Sequence, residues 1–136
     1  MNGSDFVRHL SGVYWKFRSE LKNRLKDYGL GLGHVAFLQM VLDKEGINQE
    51  EIKDKLSMDK GSVARSVSKL VQLGFIKKEL NLNDKRAFRL YPTLRLKNKF
   101  PEIVKIIDDY FESTTSMLGK EDMKGLREVL EKIYND

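Results

Sequence analysis

Residues 48–93 read NQEEIKDKLSMDKGSVARSVSKLVQLGFIKKELNLNDKRAFRLYPT, and the local chemistry of this stretch predicts a short helix, a turn, a second helix and a hairpin. Asn48 is placed to cap the first helix, with Glu51 three residues on to reach back to the cap; Ile47 and Ile52 are spaced as a hydrophobic staple around that start. Asp59 is placed to cap the second helix, and Met58 with Val63 repeats the staple. Within that helix Val63, Val67, Leu70 and Val71 fall at i, i+4, i+7 and i+8, the spacing of one buried stripe. The opposite stripe, Ser62, Arg65, Ser66 and Lys69, consists of hydroxyls and cations with no carboxylate. Gly74 stands where a left-handed C-terminal cap belongs. Two alternating apolar and polar runs follow, Phe75 to Leu80 and Arg86 to Tyr91, joined by residues 81–85. This is the pattern of a winged helix-turn-helix.

Charge is segregated into the same stretch. From Lys60 to Tyr91 eight basic residues stand against two acidic ones, so this window is more positive than the whole chain at +5. A positive field confined to the second helix and the hairpin suits a polyanionic partner, because each phosphate it neutralises releases counterions. A lysine-rich surface that only maintained solubility would not need to coincide with helix-turn-helix spacing.

The remaining sequence bounds the answer. At 136 residues the chain makes one domain, or one domain with helical extensions. It has no run of about 18 apolar residues, so no membrane span is expected. The opening Met-Asn-Gly-Ser-Asp lacks the basic-then-apolar pattern of a signal peptide, and a soluble, cytoplasmic protein is expected. Cysteine is absent, which excludes disulfides, thiolate metal sites and thiol-based redox sensing.

Asp5 to about Lys26 reads as one long helix with two apolar faces, Phe6, Leu10, Val13 and Phe17 on one and Val7, Tyr14 and Leu21 on another. Two faces need two packing partners, and the second is expected to be another copy of the chain. The glycines from Gly29 to Gly33 read as a C-cap and turn rather than a phosphate loop, since G-x-x-x-x-G-K-[ST] is missing. A mostly buried helix from about Leu32 to Asp43 follows. Beyond the hairpin, Pro92-Thr93 opens a long helical pattern with Pro101 inside it, where a kink or a restart is expected. After a turn near Gly119, Met123, Leu126, Val129, Leu130, Ile133 and Tyr134 give the last helix an apolar face. With the first helix, this C-terminal pair is expected to form a dimerisation region.

The order of elements resembles the MarR family of bacterial and archaeal transcriptional regulators. The resemblance is most specific in Gln49-Glu50-Glu51-Ile52, in Met58 to Val63, in Leu70 to Ile76, and in Asn83-Asp84-Lys85-Arg86-Ala87, which matches the family's D-x-R wing pattern. One departure is that Pro92-Thr93 and then Leu96 stand where the family has Leu-Thr and a later Gly. The fold expected is mainly α with a small β-hairpin wing. Residues 1–30 and 94–136 would supply dimerisation helices, and residues 31–93 a winged helix-turn-helix domain. The resemblance implies a homodimer, with the role of a repressor, that binds double-stranded DNA at a pseudo-palindromic operator and is often released by a small molecule.

On that fold, Ser62, Arg65 and Ser66 are expected at base edges in the major groove, with Lys60 and Lys69 on phosphates. Gln49, at the start of the first helix of the motif, is expected near a phosphate. The resemblance places Arg86 in the minor groove, held by Asp84, with Lys85 beside them on the wing. A small aromatic or anionic effector is expected in a crevice lined by His9, Tyr14, Trp15 and Arg18; core or dimer contacts are the alternative for the aromatic residues. No cofactor or metal is expected. His9 and His34 have no surrounding motif and read as half-buried structural residues rather than ligands or a catalytic set, so an enzyme is not expected. The alternative reading is a winged helix that binds DNA without sequence preference or docks a protein.

Overall fold

A computed structural model describes the backbone throughout and the side chains of residues 1–83 and 88–136. Six α-helices and one hairpin follow in the order α1 Gly3–Arg24, α2 Leu32–Asp43, α3 Gln49–Leu56, α4 Lys60–Gln72, β1 Ile76–Asn81, β2 Asp84–Pro92, α5 Leu94–Thr115 and α6 Lys120–Tyr134, with a 3-10 turn at Lys26–Tyr28 after α1. The architecture is mainly α with a two-stranded antiparallel wing, as the periodicities predict.

The helix-turn-helix is bounded by short-range hydrogen bonds. Asn48 Oδ1 accepts the Glu51 N–H at 2.8 Å at the start of α3, and Asp59 Oδ1 accepts the Ser62 N–H at 2.8 Å at the start of α4. Caps of this kind contribute about 1 kcal/mol each. The return half of the expected capping box does not form, because the Glu51 carboxylate pairs with Lys44 instead. At the other end of α4, the Phe75 N–H reaches the Leu70 carbonyl at 3.0 Å and the Gly74 N–H reaches Val71 at 3.0 Å. With Gly74 at φ +80°, these bonds close a Schellman cap.

The core runs continuously from the C-terminal part of α1 to α5. Val63, Val67 and Leu70 of α4 are buried in it with Phe37, Leu38, Ile52, Phe75, Leu90, Leu96 and Ile103. Val71, expected on the same stripe, lies at its edge and is 36% exposed. The register pairs Ile76 with Pro92 through Leu80 with Phe88, and then Asn81 with Asp84 across an irregularity. The strands therefore run further than the alternation predicts and leave Leu82 and Asn83 between them. A contact of long sequence separation adds to the hairpin: Ile47 and Leu90 form an isolated antiparallel bridge, in which the Leu90 N–H donates to the Ile47 carbonyl at 2.8 Å and the Leu90 carbonyl accepts the Gly46 N–H at 2.8 Å.

Pro101 produces no restart, since α5 is one helix across it; it removes only the one backbone donor that would have reached back a turn. The apolar residues of α1 divide along its length rather than between two faces. Leu21, with Leu25 just beyond the helix, is buried and Phe17 packs edge-on against Tyr110 at 4.9 Å, while Val7, Leu10, Val13, Tyr14 and Trp15 stay exposed. No residue of α6 is buried.

Candidate nucleic-acid interface

The helix α4 contains no acidic residue, and its buried valines fix which way the rest faces. Lys60, Arg65 and Lys69 are exposed, and Ser62 and Ser66 are half-buried. A helix advances about 100° per residue, so Ser68 and Gln72, three and seven positions beyond Arg65, share its face. A shallow depression on that side is lined by Ala64, Arg65, Ser68, Lys69 and Gln72. Ser68 and Gln72 were not among the residues picked from the sequence, although the same periodicity that singled out Arg65 points to them.

Ser66 turns to the other side, into a crevice of about 780 Å³ between α1, the turn before α2, and α4. Its wall includes Tyr14, Arg18, Lys22, Lys26, His34, Met58, Ser66 and Lys69, with no carboxylate. Of the four residues expected at an effector site, Tyr14 and Arg18 reach this crevice; His9 and Trp15 are not on its wall. Trp15 is exposed with the Arg18 guanidinium stacked 4.9 Å above its ring, and His9 Nδ1 lies 2.8 Å from the Asp5 carbonyl one turn back on its own helix. His34 is the histidine in the crevice. Burial lowers its pKa from the ordinary histidine value, and the Lys69 charge lowers it further. Its Nδ1 accepts the Gly31 N–H at 3.1 Å.

Around the first turn of α4 the polar groups form a chain. Ser62 Oγ donates to Asp59 Oδ2 at 2.8 Å and accepts from Arg65 Nη2 at 3.0 Å. The two Ser62 hydrogen bonds, with the Arg65 charge nearby, hold the Asp59 carboxyl below the usual carboxylate range. Gln49 is half-buried at the start of α3, where Glu50 and Glu51 already complement the helix dipole and crowd a phosphate. On the wing, Lys78 lies 4.6 Å from the Phe88 ring and Lys77 pairs with Glu79 at 3.3 Å, so these two cations are partly engaged within the hairpin. Asp84, Lys85 and Arg86, the wing residues expected at DNA, lie outside the residues with described side chains. Among the described residues, no group of three or more His, Asp or Glu side chains could hold a metal ion.

Comparison with known proteins places this geometry in a family. The MarR family profile matches residues 28–87. The chain is 31% identical over 112 residues to the HTH-type transcriptional regulator BilQ of Clostridium symbiosum, covering 82% of this chain and 78% of that protein. It is 28% identical over 130 residues to TcaR of Staphylococcus aureus, covering 94% and 83%. Among solved structures, a MarR transcriptional regulator from Methanosarcina mazei Go1 superposes with a TM-score of 0.88 at 27% identity, over 97% of this chain and 95% of that one. A mutant MarR from E. coli complexed with operator DNA shares the fold with a TM-score of 0.83 at 22% identity, over 95% and 93%. These relatives are transcriptional regulators rather than enzymes, and the chain belongs to the MarR family of winged helix-turn-helix transcriptional regulators.

Proposed function

We propose that the chain is a sequence-specific DNA-binding regulator that acts as a homodimer on a pseudo-palindromic operator, and a repressor where that operator overlaps a promoter. Helix α4 would enter the major groove, and the β1–β2 hairpin would lie in the adjoining minor groove. The observation that carries this reading is the outer side of α4: exposed cations and hydrogen-bonding side chains on a helix free of acidic residues, packed rigidly from behind by Val63, Val67 and Leu70. Arg65 would read a base, Lys60 and Lys69 would hold phosphates, and Ser68 and Gln72 would join that contact. Arg86, with Asp84 and Lys85, would serve the wing.

The dimer is supported by what the monomer leaves bare. A 15-residue helix is marginal in water by itself, yet Leu126, Val129, Leu130 and Ile133 of α6 remain 40–54% exposed. With the exposed apolar residues of α1 they offer a surface that a second copy would cover. Residues 1–30 and 94–136 would thus supply dimerisation, and residues 31–93 DNA binding. The crevice beside α4 suits an effector with an anionic group and an aromatic or apolar body: its cations converge, Tyr14 offers a ring, and Ser66 and Lys69 would transmit occupancy to α4.

Two variants test the reading on a panel of duplexes across a salt series. Lys60→Ala should weaken binding to every duplex alike and flatten the salt slope by about one. Arg65→Ala should relax preference at one position per half-site, worth about 1–3 kcal/mol. Equal loss on all duplexes from both variants would contradict base reading by Arg65.

A further inference from the structure

Arg65 is not a free-swinging side chain in this protein. Helical side chains lean toward the N-terminus, and the Arg65 guanidinium lies back along α4 to donate to Ser62 Oγ at 3.0 Å. The single Ser62 hydroxyl proton is already given to Asp59 Oδ2 at 2.8 Å. Ser62 therefore has no proton left for a base edge and acts as the middle of a relay from Asp59 to Arg65. One turn before Arg65 stands Gly61. A Cβ built there would meet Arg65 Nη1 at 3.2 Å and Asp59 Oδ1 at 3.4 Å, so the guanidinium occupies the space a side chain would take.

We propose that Asp59, Gly61 and Ser62 are positioning residues that fix the base preference of Arg65, by holding its guanidinium over the first turn of α4 before DNA arrives. This rests on the reading of α4 as the recognition helix. The guanidinium has five N–H donors in a rigid fork. The bond to Ser62 uses one and leaves enough for the two that a guanine O6/N7 pair accepts. Ordering a long side chain in advance lowers the entropy that binding must otherwise lose, and it favours one base over its competitors rather than strengthening contact with every phosphate.

The test is Gly61→Ala, read in two ways. Gly61 has no positive φ, and alanine is the better helix former, so thermal stability should hold or rise. The cation can move a few tenths of an ångström at little cost, but not without leaving its position. Displacement of the guanidinium from the Ser62 hydroxyl should then lower discrimination at the base read by Arg65 by roughly threefold to tenfold, the net worth of one hydrogen bond, with the salt slope unchanged. A purely structural glycine would not make stability and preference move in opposite directions. Asp59→Asn provides the second arm: asparagine still caps the helix, yet the carboxylate that anchors the relay is gone, and preference should fall at the same position.

Wild-type protein without any base preference would defeat the reading of α4 itself, and this proposal with it. Wild-type preference that Arg65→Ala abolishes, but that Gly61→Ala and Asp59→Asn leave intact, would overturn the positioning role alone.

Discussion

His34 shows how one residue ties the first turn of α2 to the crevice beside α4. Its neutral ring accepts the Gly31 N–H through Nδ1, and a doubly protonated ring has no lone pair with which to do so. Burial, then the Lys69 charge, lowers its pKa in the folded protein. The unfolded chain therefore takes up the proton first as pH falls. The stability His34 contributes is complete above its unfolded pKa of about 6.5 and is lost as pH falls through the lower folded value. Asp59 and Glu51 lose stability in the same direction but at more acid pH, since hydrogen bonding to Ser62 and to Lys44 respectively places both below the usual carboxylate range. Between pH 7 and 5, the urea midpoint of the wild type should thus fall more steeply than that of His34→Gln, whose amide oxygen can still accept a proton-bearing nitrogen. Parallel slopes would remove His34 from the acid response. At this scale the sequence was most informative where partners are close along the chain. Asn48, Asp59 and Gly74 were readable as caps because each acts within a few residues. Glu51 was misread because Lys44, seven positions away across a turn, competes for its carboxylate.

At the scale of elements, Thr93 joins three of them. Its Oγ1 donates to the Gly74 carbonyl at 2.6 Å, accepts the Leu96 N–H at 3.2 Å, and its own N–H reaches the Phe75 carbonyl at 3.1 Å. The C-cap of α4, the end of the wing and the start of α5 meet on one side chain. Thr93→Val keeps the shape and removes both hydroxyl bonds; a loss of about 1–2 kcal/mol is expected in urea unfolding, and a change of only a few tenths would mean that backbone contacts alone make this junction. The helix spans were legible in periodicity and punctuation. The Ile47–Leu90 bridge was not, because nothing local to either residue marks a partner more than forty positions away. The wing strands run longer for a related reason: residues 81–85 break the alternation and read as the connection between the two runs, yet Asn81 and Asp84 pair as strand residues.

Across the whole molecule, the same chain divides its apolar residues between a core that holds the helix-turn-helix rigid and surfaces on α1 and α6 that remain bare. The cationic side of α4 and the bare helices lie in different segments of the chain. Of the candidate site, the row along α4 followed from helical spacing. The crevice required tertiary placement, which brings Tyr14, Arg18 and Lys22 of α1 to His34 of α2 and Lys69 of α4, and leaves His9 and Trp15 aside. The decisive measurement is selection of binding sites from random duplex DNA with the purified protein at about 150 mM salt, close to physiological screening. An inverted repeat with half-site centres about one helical turn apart is expected from a homodimer carrying two copies of α4. Recovery of no consensus, with binding that vanishes as salt rises, would contradict a sequence-specific dimeric regulator.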